Sequence, residues 1–208
     1  MIEITGLYIK KKGSSPMVPV STMNVDKNGI IGGVPCPPIR QVLFLPELTI
    51  NKFGLNKGQL RENIITKGVD LHNLASGSVV KIGDVRIRLT YHCEPCKVIK
   101  EFVNLKMITH QRGYLGTVIN EGVLRIGDKV NILGKQFERI PYDIKERIKW
   151  FLDKQNEPTT IKKLAFEIGL SPSYYRAIPN MLKKMDNKYK DLVDYPSKKK
   201  STQTNIIR

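Results

Sequence analysis

At 208 residues and 23.7 kDa the chain has room for one ordinary domain plus a smaller one, so a core can form without disulfides or metals as staples. Three cysteines, Cys36, Cys93 and Cys96, are too few and odd in number for a disulfide framework; no stretch reaches the length of a membrane span, and the N-terminus MIEITGLYIKKK lacks the apolar core of a signal peptide. A cytoplasmic protein with free thiols is therefore expected, and its net charge of +16 favours polyanionic partners such as DNA, RNA or an anionic cofactor, unless the lysines only solvate the surface.

From Ile2 to Val130 short β-branched runs are broken by Gly, Pro, Asn and Asp, which predicts strands joined by tight turns. The expected strands are residues 3–10, 41–45, 78–82, 85–92, 116–120 and 129–133. Gly83-Asp84 and Gly127-Asp128 each stand between an apolar arm and a following strand, where glycine takes up positive φ at little cost. Many short strands at regular spacing suit a closed or nearly closed barrel over residues 1–134.

The period changes near Pro141. Ile144, Ile148, Phe151 and Leu152 recur at helical spacing, predicting an amphipathic helix over 142–154. Thr159 or Thr160 offers an N-cap for a helix over 161–168, Gly169 ends it, and Ser171 begins a third running through Tyr174, Ile178 and Leu182. Helix, glycine turn, helix is the helix-turn-helix pattern, although Pro179 removes a backbone donor and is expected to kink or shorten the last member. The class is α+β, with a helical region over 135–195 and a basic, disordered tail over 196–208. Residues 135–208 hold 17 Lys and Arg against 9 Asp and Glu, a net +8, so the C-terminal third is the denser basic region.

His92-Cys93-Glu94-Pro95-Cys96-Lys97 follows an expected strand, and nearby cations favour a thiolate that can bind a metal or attack. By itself a CxxC is half a zinc site, a redox dithiol or two small buried residues. Zinc would need two more ligands from the isolated Cys36, His72 and His110.

The ordered set Arg61-Glu62-Asn63-Ile64, Gly68-Val69-Asp70-Leu71, Leu74, Gly77, Ile82-Gly83, Cys93-Glu94-Pro95-Cys96, Arg112-Gly113 and Gly127-Asp128-Lys129-Val130 resembles the motifs of small MOSC-domain proteins, the molybdenum-cofactor sulfurase C-terminal family. Asn28-Gly29, Gly32-Gly33 and Arg40-Gln41-Val42 are similar to the family's N-terminal motif, while Ile30 to Pro38, with Cys36, departs from its more polar segment. The resemblance implies a β-barrel that holds molybdenum cofactor (molybdopterin), with Cys96 as metal ligand and Arg61, Asn63 and Arg112 as donors to the pterin phosphate. It further implies reduction of N-hydroxylated compounds, including hydroxylamino base analogues, or sulfur transfer. Cys96, Cys93 as supporting thiol or relay, and Lys97 or His92 as proton donor are the catalytic candidates. His92 is equally an ordinary strand residue, and Asp70 reads as a turn residue.

Residues 159–165, Ile168-Gly169 and Ser173-Tyr174-Tyr175-Arg176-Ala177-Ile178 look like the winged-helix DNA-binding region of the alkylguanine-DNA alkyltransferases. The likeness implies nucleic-acid contacts from Ser173, Tyr175, Arg176, Lys183 and Lys184, with Arg176 entering the base stack; the acceptor motif Pro-Cys-His-Arg is absent, which argues against alkyl transfer. Packing of Tyr174, Tyr175 and Ile178 beneath a basic surface is the simpler alternative.

Joined, the two parts predict a nucleic-acid-binding MOSC protein acting on a modified or N-hydroxylated base. As a reductase it would need an electron-donor protein, since no reductase domain is visible. A DNA-binding regulator whose barrel senses a small ligand, and a reductase of free N-hydroxylated compounds, are the alternatives.

Overall fold

A computed structural model describes residues 1–13 and 16–194, so the expected basic tail lies outside the described residues. In chain order the strands are β1 (Ile2–Ile9), β2 (Val18–Val20), β3 (Thr22–Asp26), β4 (Gly29–Ile30), β5 (Val42–Pro46), β6 (Ile64–Lys67), β7 (Ser78–Ile82), β8 (Val85–His92), β9 (Tyr114–Val118), β10 (Gly122–Arg125) and β11 (Lys129–Lys135), with helix α1 (Glu47–Phe53) between β5 and β6. After β11 come α2 (Ile144–Leu152), β12 (Thr159–Thr160), α3 (Ile161–Glu167), α4 (Ile178–Leu182), α5 (Asn187–Asp191) and β13 (Val193–Asp194).

Seven strands in the order β11-β7-β8-β9-β5-β6-β1 close into a barrel, because Ile2 pairs with Val130 and Glu3 with Lys129. Closure leaves no free edge within the ring, and β2 adds outside it on β1. Within the barrel only β5 and β6 pair in parallel, which is why a helix, α1, is needed to carry the chain back between them. The barrel interior is filled by Ile4, Phe44, Ile64, Val80, Ile87 and Leu89, all essentially inaccessible, each gaining about 1.5–3 kcal/mol of transfer free energy. Met23, Val25 and Leu124, from the small sheet β10-β3-β4, join the same core.

The Gly83-Asp84 turn is a two-residue hairpin between Ile82 and Val85, with Gly83 at φ +56°. Gly127-Asp128 does different work. Strand β10 pairs with β3 while β11 pairs with β7 and β1, so this turn moves the chain from the small sheet into the barrel, held by Asp128 Oδ2 accepting from Arg125 N at 2.7 Å.

The helical region forms its own core from Ile148, Leu152, Leu164, Ala165, Ile168, Ile178 and Leu182. Asp143 caps α2 by accepting from Lys145 N and Glu146 N, and Thr160 caps α3 by accepting from Lys163 N. The third helix expected from Ser171 onward is interrupted. Pro172–Tyr174 makes a 3-10 turn and α4 is only five residues long, because a proline lacks the amide hydrogen that a helix interior needs; Pro179 sits in the first turn of α4, where none is required. Strands β12 and β13 form a two-residue parallel bridge.

A seam of Ile39, Leu43, Tyr91, Cys93, Leu115 and Ile140, with Tyr142 and Trp150 packed on it, fastens the helices to the outer face of β5, β8 and β9. At this seam Gly169 has φ +72°, and a Cβ there would lie 2.5 Å from Tyr91 Oη and 2.7 Å from Arg40 Cδ. Gly169→Ala is expected to cost about 1–3 kcal/mol in urea unfolding; an unchanged midpoint would show that the seam is loose.

Candidate functional site

The site begins with a register shift in β8. Pairing with β9 slips between Leu89 and His92, so Leu89 points into the barrel while Tyr91 joins the outer seam. The chain then leaves the sheet as Cys93-Glu94-Pro95-Cys96, tied at its start by Cys93 N donating to Gly113 O at 2.9 Å.

Three arginines hold this loop. Arg40 Nη1 donates to Glu94 Oε2 at 3.1 Å, Arg147 Nη2 donates to Glu94 Oε1 at 2.5 Å, and Arg112 Nη1 donates to the Glu94 carbonyl. Arg147 comes from α2, is fully buried, and lies with its guanidinium carbon 3.9 Å from the centre of the Tyr91 ring. Arg112 is also buried, and Nε of both Arg112 and Arg147 has no hydrogen-bond partner in the protein. Two guanidinium groups on the Glu94 carboxylate and a third on its carbonyl leave a positive excess with unused donors.

The two thiols of the loop differ. Cys93 is buried, 3.7 Å from Arg40 Nη2, and desolvation pushes its thiol pKa up against the opposing pull of Arg112 and Arg40. Cys96 is half-buried at the start of the 3-10 turn Lys97–Ile99, and Lys97 beside it is exposed. The Cys36 thiol is directed at Val34 O, 3.3 Å away, beside a cavity of about 200 Å³ that Asp26, Asn28 and Gln41 also line; burial pushes its pKa up and Arg40 pulls the other way.

All three histidines of the chain converge on the same barrel end. The His92 ring centre lies 5.8 Å from His72, 5.5 Å from His110 and 4.6 Å from Tyr114, and His110 lies 4.3 Å from Tyr142. His110 reaches Tyr142 from a backbone at φ +62°, a conformation that non-glycine residues seldom adopt. A cavity of about 310 Å³ opens here, lined by His92, Tyr91, Tyr114, Tyr142, Lys135 and Arg139 among others. Burial pushes the Tyr114 hydroxyl up to about 12 and lowers the pKa of both His72 and His92, although Asp70, which accepts from His72 Nδ1 at 2.8 Å, pulls the other way on His72.

The remaining candidates are placed elsewhere. Asn63 accepts from Leu43 N and donates to Tyr8 O, both at 3.0 Å, so its amide joins β5, β6 and β1. Arg61 is exposed at φ +63°, and no contact links it to the thiol loop. Its neighbour Glu62 is fully buried, accepts from Gly58 N, and has its carboxyl pKa raised by desolvation, with Arg112 in opposition. In the helical region Ser173, Arg176, Lys183 and Lys184 are exposed, whereas Tyr175 is half-buried against the helical core. Among the described residues no three His, Cys, Asp or Glu side chains converge as a metal-ligand set, so the zinc reading of the CxxC has no partners. Nor is any helix among them long and apolar enough to cross a membrane.

Arg147 was not legible as a site residue, and the sequence singled out His92, His72 and His110 without showing that they meet. The only available signal for Arg147 was a charged residue falling between Ile144 and Ile148 on the apolar side of α2.

Neutral His72 and His92 stabilise the fold fully above pH 6.5, their ordinary value. That contribution is lost as pH falls below it, because the unfolded chain then binds protons that the folded one excludes. The urea midpoint is therefore expected to fall between about pH 7 and about pH 5, and to fall less in His92→Asn; equal pH dependence in the two proteins would refute the assignment.

A search of the curated proteins finds no match. Among solved structures, the YUAD protein from Bacillus subtilis superposes with a TM-score of 0.55 at 19% identity, over 65% of this chain and 98% of that one. YiiM from Geobacillus stearothermophilus gives 0.54 at 16%, over 88% and 100%, and YiiM from Escherichia coli gives 0.52 at 17%, over 92% and 99%. At such identities the likeness is one of fold. The model of the MOSC domain matches residues 45–131, the stretch that runs from β5 into β11 and contains the thiol loop, Arg112 and all three histidines.

Proposed function

We propose that this barrel end holds molybdenum cofactor, with Cys96 as its protein ligand, and reduces N-hydroxylated bases seated in the adjoining histidine–tyrosine cavity. The observation that carries the reading is the arginine collar on Glu94, two residues before the half-buried Cys96, in which two buried guanidinium groups keep an unpartnered Nε. A soft thiolate suits a high-valent metal, and cationic N–H donors suit the phosphate of the pterin, so the donor set fits the group. When bound, the cofactor supplies the electron pair for cleaving an N–O bond. Arg112 and Cys96 are the proposed holding residues, and Asn63, with one hydrogen bond at each end of its amide, keeps a donor for the same role.

The protein's own part is to bind and to deliver protons. Tyr142, His92 and Tyr114 give this cavity an aromatic wall for a planar base, with Lys135 and Arg139 at hand for an anionic substituent. Replacing N–OH by N–H takes up two electrons and two protons and releases water; the electrons come from a donor protein, and exposed Lys97 is a proton source beside Cys96. The burial of Cys93 favours reduction over a two-thiol sulfur relay, which would need both thiols accessible. Protein purified untagged from a host that makes the cofactor should carry stoichiometric molybdenum and pterin, lost in Cys96→Ala and retained about tenfold less well in Arg112→Ala. Wild-type protein with neither would remove the redox reading and leave a ligand-sensing barrel.

Nucleic acid is the second proposed ligand, supported by the exposure of Ser173, Arg176, Lys183 and Lys184 on the helical region. Replacing Arg176, Lys183 and Lys184 by Ala should weaken binding to any sequence and reduce the salt slope by about one per lost phosphate contact. Undiminished turnover of free hydroxylamino bases by that variant would mark the two activities as separate. Unchanged affinity and slope would dismiss the nucleic-acid reading.

A further inference from the structure

We propose that Arg147 and Glu94 are positioning residues through which the helical region sets the exposure of Cys96. The inference rests on reading Cys96 as the working thiol, but not on which group that thiol binds.

The loop Cys93-Glu94-Pro95-Cys96 has one backbone tie to the sheet, at Cys93, and is otherwise held by side chains. Two of the three arginines on Glu94 belong to the barrel. Arg147 does not: it is carried by α2, so its bond to Glu94 Oε1 is a direct link between the helices and the thiol loop. A second link runs beside it, since Arg40 Nη1 donates both to Glu94 Oε2 and, at 2.9 Å, to the carbonyl of Gly169 at the end of α3. The helices therefore grip one carboxylate directly and through Arg40.

Burying a guanidinium costs desolvation that an apolar side chain of similar volume would avoid, so such a pair contributes little net stability. What it can contribute is geometry. Glu94 bonded at both oxygens and at its carbonyl has one arrangement, and Cys96 lies two residues further along. If α2 shifts, Oε1 loses its donor, the loop is held at fewer points, and Cys96 becomes more accessible. Any ligand that moves α2 against the barrel is coupled to the thiol in this way, and reciprocally.

The test is the rate of iodoacetamide labelling of Cys96 in the full-length protein, with Cys36 as internal reference and sites assigned by peptide mass mapping. Arg147→Met keeps the volume but leaves Glu94 without one of its donors, at a cost of about 3–5 kcal/mol, so thermal unfolding checks that the variant is folded. It should label Cys96 about tenfold faster than wild type with little change at Cys36, and Arg147→Lys should restore most of the protection. Glu94→Gln should act in the same direction, and the double variant should label no faster than the faster single one, because both remove the same latch. Wild-type labelling in folded Arg147→Met, equal acceleration at Cys36, or additive effects in the double variant would each overturn the proposal. If Arg147→Met does not fold, Glu94→Gln beside wild type decides by the same rates at Cys96 and Cys36. Failure of the cofactor reading would show separately, as wild-type protein without pterin, and leaves these rates meaningful.

Discussion

The arrangement of the barrel end that carries the thiol loop depends on one carboxylate. Glu94 receives Arg40 from the segment before β5, Arg147 from α2, and Arg112 at its carbonyl from the segment before β9. Removing any one donor would leave a buried charge less compensated, and removing the carboxylate would leave guanidinium groups facing one another. The desolvation cost of breaking such a cluster piecemeal, about 3–5 kcal/mol for a buried pair, makes the three elements behave as one unit. The same excess of positive charge that needs Glu94 also makes the loop hospitable to an anion.

Everything upstream serves to bring those elements together. Antiparallel pairing of β8 with β9 places the exit of β8 beside the entry of β9, and the shift between Leu89 and His92 turns Tyr91 outward to receive Arg147 while His92 meets Tyr114. The outward faces of β5, β8 and β9 are apolar where the helices cover them, at Leu43, Leu115 and Tyr91. An exposed sheet face of that kind would be a liability, and the seam explains why the helical region lies against the barrel instead of trailing from it.

Much of the barrel was legible in the sequence because its signals are local. Strands 78–82 and 85–92 and the Gly83-Asp84 hairpin match the expectation, since alternation and turn chemistry act over a few residues. Strands β6 and β10, helix α1 and the small sheet were missed: β6 is four residues long, and β10 carries Val123 exposed and Leu124 buried on a segment too short to show a period. The long third helix failed for a nearby reason, Pro172 and Pro179, whose consequence was visible but not its extent. Cys96, Arg112 and Asn63 stand out by motif alone, and the strand-joining bonds of Asn63 are a role that the motif does not show. Arg40, Arg147 and the meeting of three histidines depend on contacts across 18 to 54 positions, as between Arg40 and Glu94 or His92 and His110, and no local pattern encodes them.

The most direct measurement on the central claim is X-ray absorption at the molybdenum edge of protein loaded in a cofactor-making host. One sulfur ligand beyond those of the pterin dithiolene is expected, contributed by Cys96 from its arginine-held loop. A metal with dithiolene sulfurs alone would contradict it, because Cys96 would then be a bystander beside the cofactor and the collar merely a structural joint.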